Sequence, residues 1–320
     1  MSVSLRLESR FFKGHGHGND YLVFAEGVSW PVAPETVQLV CHRQRGVGAD
    51  GIVVLLATGR DGEAASGGPG GDRRAPFELR MFNPDGSEFE RSGNGLRILA
   101  AYLHSVGKVG IGHPFPVEVG GEIVTMEVMG RGVGGILDVS VDMGPVSFGP
   151  TAVGAEAAAF VRTDAPSDGP EGRHGWTLPG PDGVPLPVFP TSVGNPHCVV
   201  FRADLLESDF QELGPFLTRN PAFPDGTNVQ VGRVLSSREL QILIWERGVG
   251  RTSSSGTSAC AAAAAGVRAG LLTPGPIQVD MEGGSFEVTV SPTMSASLRG
   301  PVQPLVWGEL SEGFLSALRS

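Results

Sequence analysis

Gly18-Asn19-Asp20-Tyr21-Leu22-Val23-Phe24 returns later in the chain as Gly194-Asn195-Pro196-His197-Cys198-Val199-Val200-Phe201. A second pair follows in the same order: Ser92-Gly93-Asn94-Gly95, then Ser255-Gly256-Thr257-Ser258. The offsets are similar, 194 − 18 = 176 and 255 − 92 = 163 residues. Short Gly/Ser/Asn strings also match by chance. Here the order is shared, and both members of the second pair stand just before a helical pattern. That argues for two homologous lobes, with a ligand site at the lobe interface, where clefts favour ligands.

Around these strings, apolar runs bounded by turn residues predict strands over 21–24, 51–56, 77–82, 123–129, 137–141, 197–201, 240–245 and 286–290. Two segments read as long helices, 94–106 and 257–268. The first carries Leu96, Leu99, Ala100 and Leu103 at helical spacing, and the second is mostly alanine, the best helix former. Weaker helical patterns cover 34–43 and 205–220. The fold class expected is α+β, with a lobe boundary near Gly144. Residues 59–76 and 164–187 are rich in Gly and Pro and are expected to be solvated loops that bury little.

The chain has 320 residues, room for two domains at about 150 residues each. With 40% hydrophobic and 18% charged residues it can build a real core. The net charge of −10 argues against a nucleic-acid or anionic-membrane partner, since both need a basic footprint. No apolar run approaches the roughly 20 residues of a membrane span. Residues 1–13 lack the apolar core of a signal peptide. Cys41, Cys198 and Cys260 are far apart and form no Cys-x-x-Cys pair, so neither a zinc ribbon nor a disulfide framework is expected. A cytoplasmic protein is the expectation.

Several motifs invite chemistry. Gly46-Val47-Gly48-Ala49-Asp50-Gly51 fits the dinucleotide-binding pattern but precedes a strand, not a helix, so it reads as a tight turn. Ser92 and Ser255 lie outside any Gly-x-Ser-x-Gly elbow. Either alone reads as an N-cap. As a pair at equivalent places they suggest an anion cradle made by two helix starts, where backbone N–H groups and the helix dipole suit a carboxylate. His15 and His17 are expected on one face of a strand, as a polar wall, with no further ligands nearby for a metal. Glu246-Arg247 ends a strand. It reads either as a surface ion pair or as a clamp in which Arg247 holds a carboxylate and Glu246 an ammonium.

Taken in order, 13–24 (KGHGHGNDYLVF), 46–51 (GVGADG), 82–97 (FNPDGSEFERSGNGLR), 193–198 (VGNPHC), 227–229 (TNV), 245–250 (WERGVG) and 255–261 (SGTSACA) resemble the diaminopimelate epimerase family over nearly the whole chain. The resemblance implies two lobes, each a barrel-like sheet around a central helix: 1–143 with 300–320, and 144–299. The last strand, about 300–310, would return to the first lobe. It implies a cofactor-independent inversion of an α-carbon, converting LL- to meso-diaminopimelate on the way to lysine and peptidoglycan. Dimerisation is common in that family, although no interface signal stands in this sequence.

The family's reaction uses two cysteines, a thiolate that removes the α-proton and a thiol that returns one from the opposite face. A helix N-terminus lowers a thiol's pKa and makes that chemistry accessible. In this chain both positions hold serine, Ser92 and Ser255, and Cys260 lies five residues further on. Arg251 and Ser258 also depart from the common pattern. By resemblance Asn83, Asn195, Asn228 and Arg247 match positions that hold the distal carboxylate, with Glu246 near the distal ammonium. Asn19, Gly93, Asn94, Gly256 and Thr257 match the cradle at the reacting end. His197 and Glu246 match groups that assist proton transfer. A serine hydroxyl is a weaker acid than a thiol and needs an adjacent base, for which His197 is the candidate.

Overall fold

The computed structural model describes residues 5–57, 76–89, 92–165 and 173–320. The protein is mixed α+β and dominated by sheet. Its helices among the described residues are α1 (Pro34–Cys41), α2 (Gly93–Ser105), α3 (Glu207–Thr218), α4 (Gly256–Arg268) and α5 (Glu312–Arg319). The chain divides into two compact units, residues 1–142 with 300–320, and residues 143–299.

In the first unit Arg6–Gly16 and Asn19–Glu26 form an antiparallel hairpin. Asn19–Glu26 pairs parallel with Ile52–Leu55, which pairs antiparallel with Phe77–Phe82. Phe77–Phe82 pairs parallel with Phe115–Val119, and two antiparallel steps lead through Glu122–Arg131 to Leu137–Pro145. Helix α1 lies in the chain before the first parallel step is completed, and α2 before the second.

The second unit repeats this series. Pro185–Ser192 and Pro196–Phe201 pair antiparallel, and the latter pairs parallel with Asn228–Ser236. Asn228–Ser236 pairs antiparallel with Glu239–Glu246, which pairs parallel with Gly275–Met281. Two antiparallel steps then lead through Gly284–Val290 to Ser295–Glu309. Helices α3 and α4 hold the places of α1 and α2. The echo seen in the sequence therefore has a backbone counterpart. Gly18 and Gly194 both adopt positive φ, 86° and 97°, which the missing Cβ makes cheap.

The cores explain the composition. Ile52, Val53, Val54 and Leu55 are all buried, as a continuous apolar strand covered on both faces must be. In the first unit Leu22, Phe24, Trp30, Val37 and Val40 form one cluster with Leu315 and Leu318 from α5. In α2 Leu96, Ile98, Leu99, Ala100, Ala101 and Leu103 have no exposed surface, and in α4 the same holds for every residue from Ala259 to Ala265. A helix apolar on all sides is one enclosed on all sides.

Three expectations need correction. The described part of 164–187 is not a plain loop; residues 166–172 lie outside the described residues. The strands Val161–Ala165, Arg173–Pro179 and Pro185–Ser192 form an antiparallel set there, and Leu178 and Leu186 are buried. Proline is tolerated because neighbouring residues carry the pairing. His15 and His17 do not share a strand face. The strand ends at Gly16, and His17 turns the hairpin at φ 53°. The last strand is longer than 300–310, running Ser295–Glu309. Helix α5 was not anticipated, and the loop expected over 59–76 lies outside the described residues except for Pro76.

Candidate active site

In the first unit the site is built at the start of α2. Ser92 is the N-cap, in extended conformation, and Gly95 N donates to its Oγ at 3.1 Å. Gly93 and Asn94 open the helix and are buried. Behind them lies a chain of polar contacts. Asn94 Nδ2 donates to Asn19 Oδ1 (2.8 Å), and Asn19 Nδ2 donates to Asp50 Oδ2 (3.0 Å). Arg43 Nη2 bonds both Asp20 (2.8 Å) and Asp50 (2.6 Å), and Lys13 Nζ lies 2.8 Å from Asp20. Burial works against the Asp20 carboxylate, but the hydrogen bonds and charges of Arg43 and Lys13 outweigh it and hold its pKa below the usual value.

Arg97, one turn into α2, is fully buried. Its Nη1 donates to Pro301 O at 2.9 Å, its Nε to Gly93 O, and its Nη2 to Asn94 Oδ1. A Cβ on Gly16 would meet Arg97 Nη2 at 2.8 Å, so only glycine lets the hairpin approach so closely. Asn83 stands apart from this chain. It closes the turn 83–87, with its Nδ2 donating to Ser87 Oγ at 3.0 Å.

In the second unit the equivalent helix start is chemically different. Ser255 is the N-cap of α4, yet its side chain caps nothing. Its hydroxyl lies 3.4 Å from Thr257 Oγ1. Burial raises the Glu246 pKa, and the neighbouring Ser255 hydroxyl opposes this only in part. Gly256 is buried and Thr257 half-buried at the first turn. Asn228 Nδ2 donates to Pro196 O (3.0 Å), while its Oδ1 accepts from Arg247 N (3.0 Å). The Arg247 guanidinium is exposed and donates to Asp225 O at 2.9 Å. Thus Glu246 neighbours Ser255, and Arg247 holds a backbone carbonyl.

His197 is fully enclosed. Its Nε2 lies 2.9 Å from Asn195 Oδ1 and its Nδ1 3.0 Å from Gln230 Nε2. Burial pushes its pKa down to about 3, the Gln230 bond opposes this, and the Arg247 charge adds to the lowering. Both ring nitrogens are engaged, and neither bonds Ser255. Cys260 is fully buried on α4. Burial pushes Cys41 up to about 12 and raises Cys198, so both thiols stay protonated at neutral pH.

Comparison with known proteins gives the family. The diaminopimelate epimerase family model matches residues 11–149 and 189–304. The chain belongs to the diaminopimelate epimerase family. It is 37% identical over 303 residues to diaminopimelate epimerase 2 of Nostoc sp., covering 94% of this chain and 95% of the relative. It is 34% identical over 302 residues to the diaminopimelate epimerase of Pelotomaculum thermopropionicum, covering 93% and 98%. Among solved structures, a predicted epimerase from Pseudomonas aeruginosa aligns at TM-score 0.61 and 19% identity over 95% of this chain and 99% of that one. A hydroxyproline epimerase from Agrobacterium vitis aligns at 0.59 and 15%, over 95% and 92%. These structures share the fold. Membership of the diaminopimelate epimerase family makes the protein an isomerase of the epimerase class.

Sequence reading missed Asp50, Arg97 and Gln230. Asp50 and Arg97 stand inside motifs that carry the family resemblance, GVGADG and FNPDGSEFERSGNGLR, but nothing local assigns either a role. Gln230 lies outside every motif, and nothing local tells that a polar side chain will be fully enclosed. No group of three or more potential metal-ligating side chains occurs among the described residues. No described helix is long and apolar enough to cross a membrane.

Proposed function

We propose that the protein is a cofactor-independent epimerase that interconverts LL- and meso-diaminopimelate, with Ser92 and Ser255 serving opposite faces of the α-carbon. The observation that carries the reading is the start of α4, where the Ser255 hydroxyl is free of the capping bond that Ser92 makes and neighbours Glu246, a carboxyl whose pKa burial raises. A carboxylate with a raised pKa is a stronger base near neutral pH. In this scheme the α C–H bond breaks toward Ser255 Oγ while the Ser255 hydroxyl proton passes to Glu246; the carbanion then takes the Ser92 hydroxyl proton on its other face, Ser92 regains a proton from solvent, and Glu246 releases its proton to solvent. The substrate α-carboxylate, where carbanion charge spreads, sits against the backbone N–H groups at Gly93-Asn94 and Gly256-Thr257. Asn19 supports Asn94 in that cradle. Asn83, Asn195, Asn228 and Arg247 receive the distal carboxylate.

This assigns the base role to Glu246 rather than His197, because both His197 nitrogens already have partners and its proton affinity is low. The reading also takes each unit as one lobe of a duplicated pair, its sheet curled about α2 or α4. The repeated order of strand pairing and the burial of the central turns of both helices support it. A cytoplasmic setting, a role in lysine biosynthesis and assembly as a homodimer belong to the same reading.

A second reading is favoured by Ser92, whose hydroxyl is committed to Gly95 N as a cap. In it, a divergent member binds a diamino acid but exchanges the proton on one face only, or catalyses another isomerase or lyase reaction. Incubation with LL- and meso-diaminopimelate in D2O, followed by NMR, separates the two. Exchange with inversion supports the epimerase, exchange without inversion supports one-sided chemistry, and binding without exchange excludes both catalytic schemes. With activity present, Glu246→Gln should lower exchange at least tenfold. It should also remove an acid limb of the pH–rate profile lying above the ordinary glutamate range. An unchanged profile would exclude Glu246 as the base.

A further inference from the structure

We propose that Gln230 is a positioning residue: its carboxamide fixes His197 as the Nε2–H tautomer, and through that ring it holds the Asn195 carboxamide with its NH2 free for an anionic group of the ligand. The last step rests on the reading of Asn195 as a substrate contact.

Gln230 lies on Asn228–Ser236 and is fully buried. Its Nε2 is 3.0 Å from His197 Nδ1 and 3.0 Å from Ser258 Oγ. A carboxamide nitrogen only donates, so His197 Nδ1 must be the accepting nitrogen and the ring proton resides on Nε2. That proton points at Asn195 Oδ1, 2.9 Å away. An asparagine whose oxygen is engaged turns its NH2 the other way, and Asn195 Nδ2 has no partner among the described residues.

The opposite polarity is worse. Gln230 Oε1 is buried with no partner. Turning the carboxamide over would place its two donors in that empty position, exchanging one unmet acceptor for two unmet donors. Buried orphan N–H groups are rarer and costlier than under-bonded carbonyl oxygens. Ser258, one of the positions where this chain departs from the common family pattern, takes the second donor. The Ser258–Gln230–His197–Asn195 series therefore has one satisfied direction. Enclosure keeps the imidazole neutral, so the ring proton sits on a single nitrogen.

The test is the His197 tautomer, read from imidazole 15N shifts in 15N-histidine-labelled protein and assigned by difference with His197→Gln. It is run beside calorimetric binding of meso-diaminopimelate. Wild type should show the Nε2–H pattern. In Gln230→Glu, read at a pH above the titration of the buried carboxyl, where the carboxylate can only accept, the proton should move to Nδ1, and Kd should weaken at least tenfold as Asn195 turns over. In Gln230→Met, which keeps the volume, the two tautomers should mix. An Nδ1–H wild type, or a folded Gln230→Glu protein that keeps Nε2–H, overturns the proposal. A tautomer shift with unchanged Kd overturns the link to Asn195. If wild type binds no diaminopimelate, the substrate reading fails while the tautomer result still decides the role of Gln230.

Discussion

Ser92 and Ser255 occupy equivalent positions and use their hydroxyls differently. Ser92 caps α2 through Gly95 N, whereas the Ser255 hydroxyl lies near Thr257 Oγ1 and caps nothing. Ser92→Ala should therefore destabilise the first unit by about 1 kcal/mol, the usual worth of a cap. Ser255→Ala should cost clearly less, and urea unfolding of the two variants checks the order. His197 makes a pH prediction. Its folded pKa lies below the unfolded value, so its contribution is present above about pH 6.5 and is lost as pH falls toward about 3. The loss can reach about 1.4 kcal/mol per pH unit in that window. The stability difference between wild type and His197→Gln should shrink steadily from pH 6.5 to 4, and a constant difference would refute the assignment.

At the scale of elements, the two central helices are legible in sequence, α2 from apolar residues at helical spacing and α4 from its alanine content. The boundaries found, Gly93–Ser105 and Gly256–Arg268, lie within one residue of those expected. Alanine in α4 is a packing choice as well as a helical one, since from Ala259 to Ala265 no residue has room for more. Ala262→Leu should cost about 1–3 kcal/mol by overpacking, although leucine is nearly as good a helix former. Thermal unfolding measures it, and an unchanged Tm would mean that the sheet around α4 yields. The strands across 161–192 escaped notice because proline and glycine hide their alternation. What holds them is pairing with partners many residues away.

For the whole molecule, the chain's return matters most. Residues 300–320 belong to the first unit although 143–299 intervene. The strand Ser295–Glu309 pairs with Arg6–Gly16, and α5 sends Leu315 and Leu318 into the first unit's core. Truncation after Arg299 should therefore strip hydrogen-exchange protection from Arg6–Glu26 while peptides of 228–290 keep theirs. Equal loss in both regions would mean that the units do not fold separately.

The sequence by itself determined the α+β class, the two helix starts with their serines, the strands nearest the motifs and the family. Each depends on short-range patterns: period, caps, turn glycines and ordered strings. Tertiary structure alone decided which polar atoms meet. It joined Asp50 to Asn19 and Gln230 to His197 and set Glu246 beside Ser255, pairs 31, 33 and 9 residues apart in the chain. It also enclosed Arg97 and His197 completely. Hydrogen-bond partners and burial set the protonation and direction of these groups, and both arise only when distant strands and helices close around them.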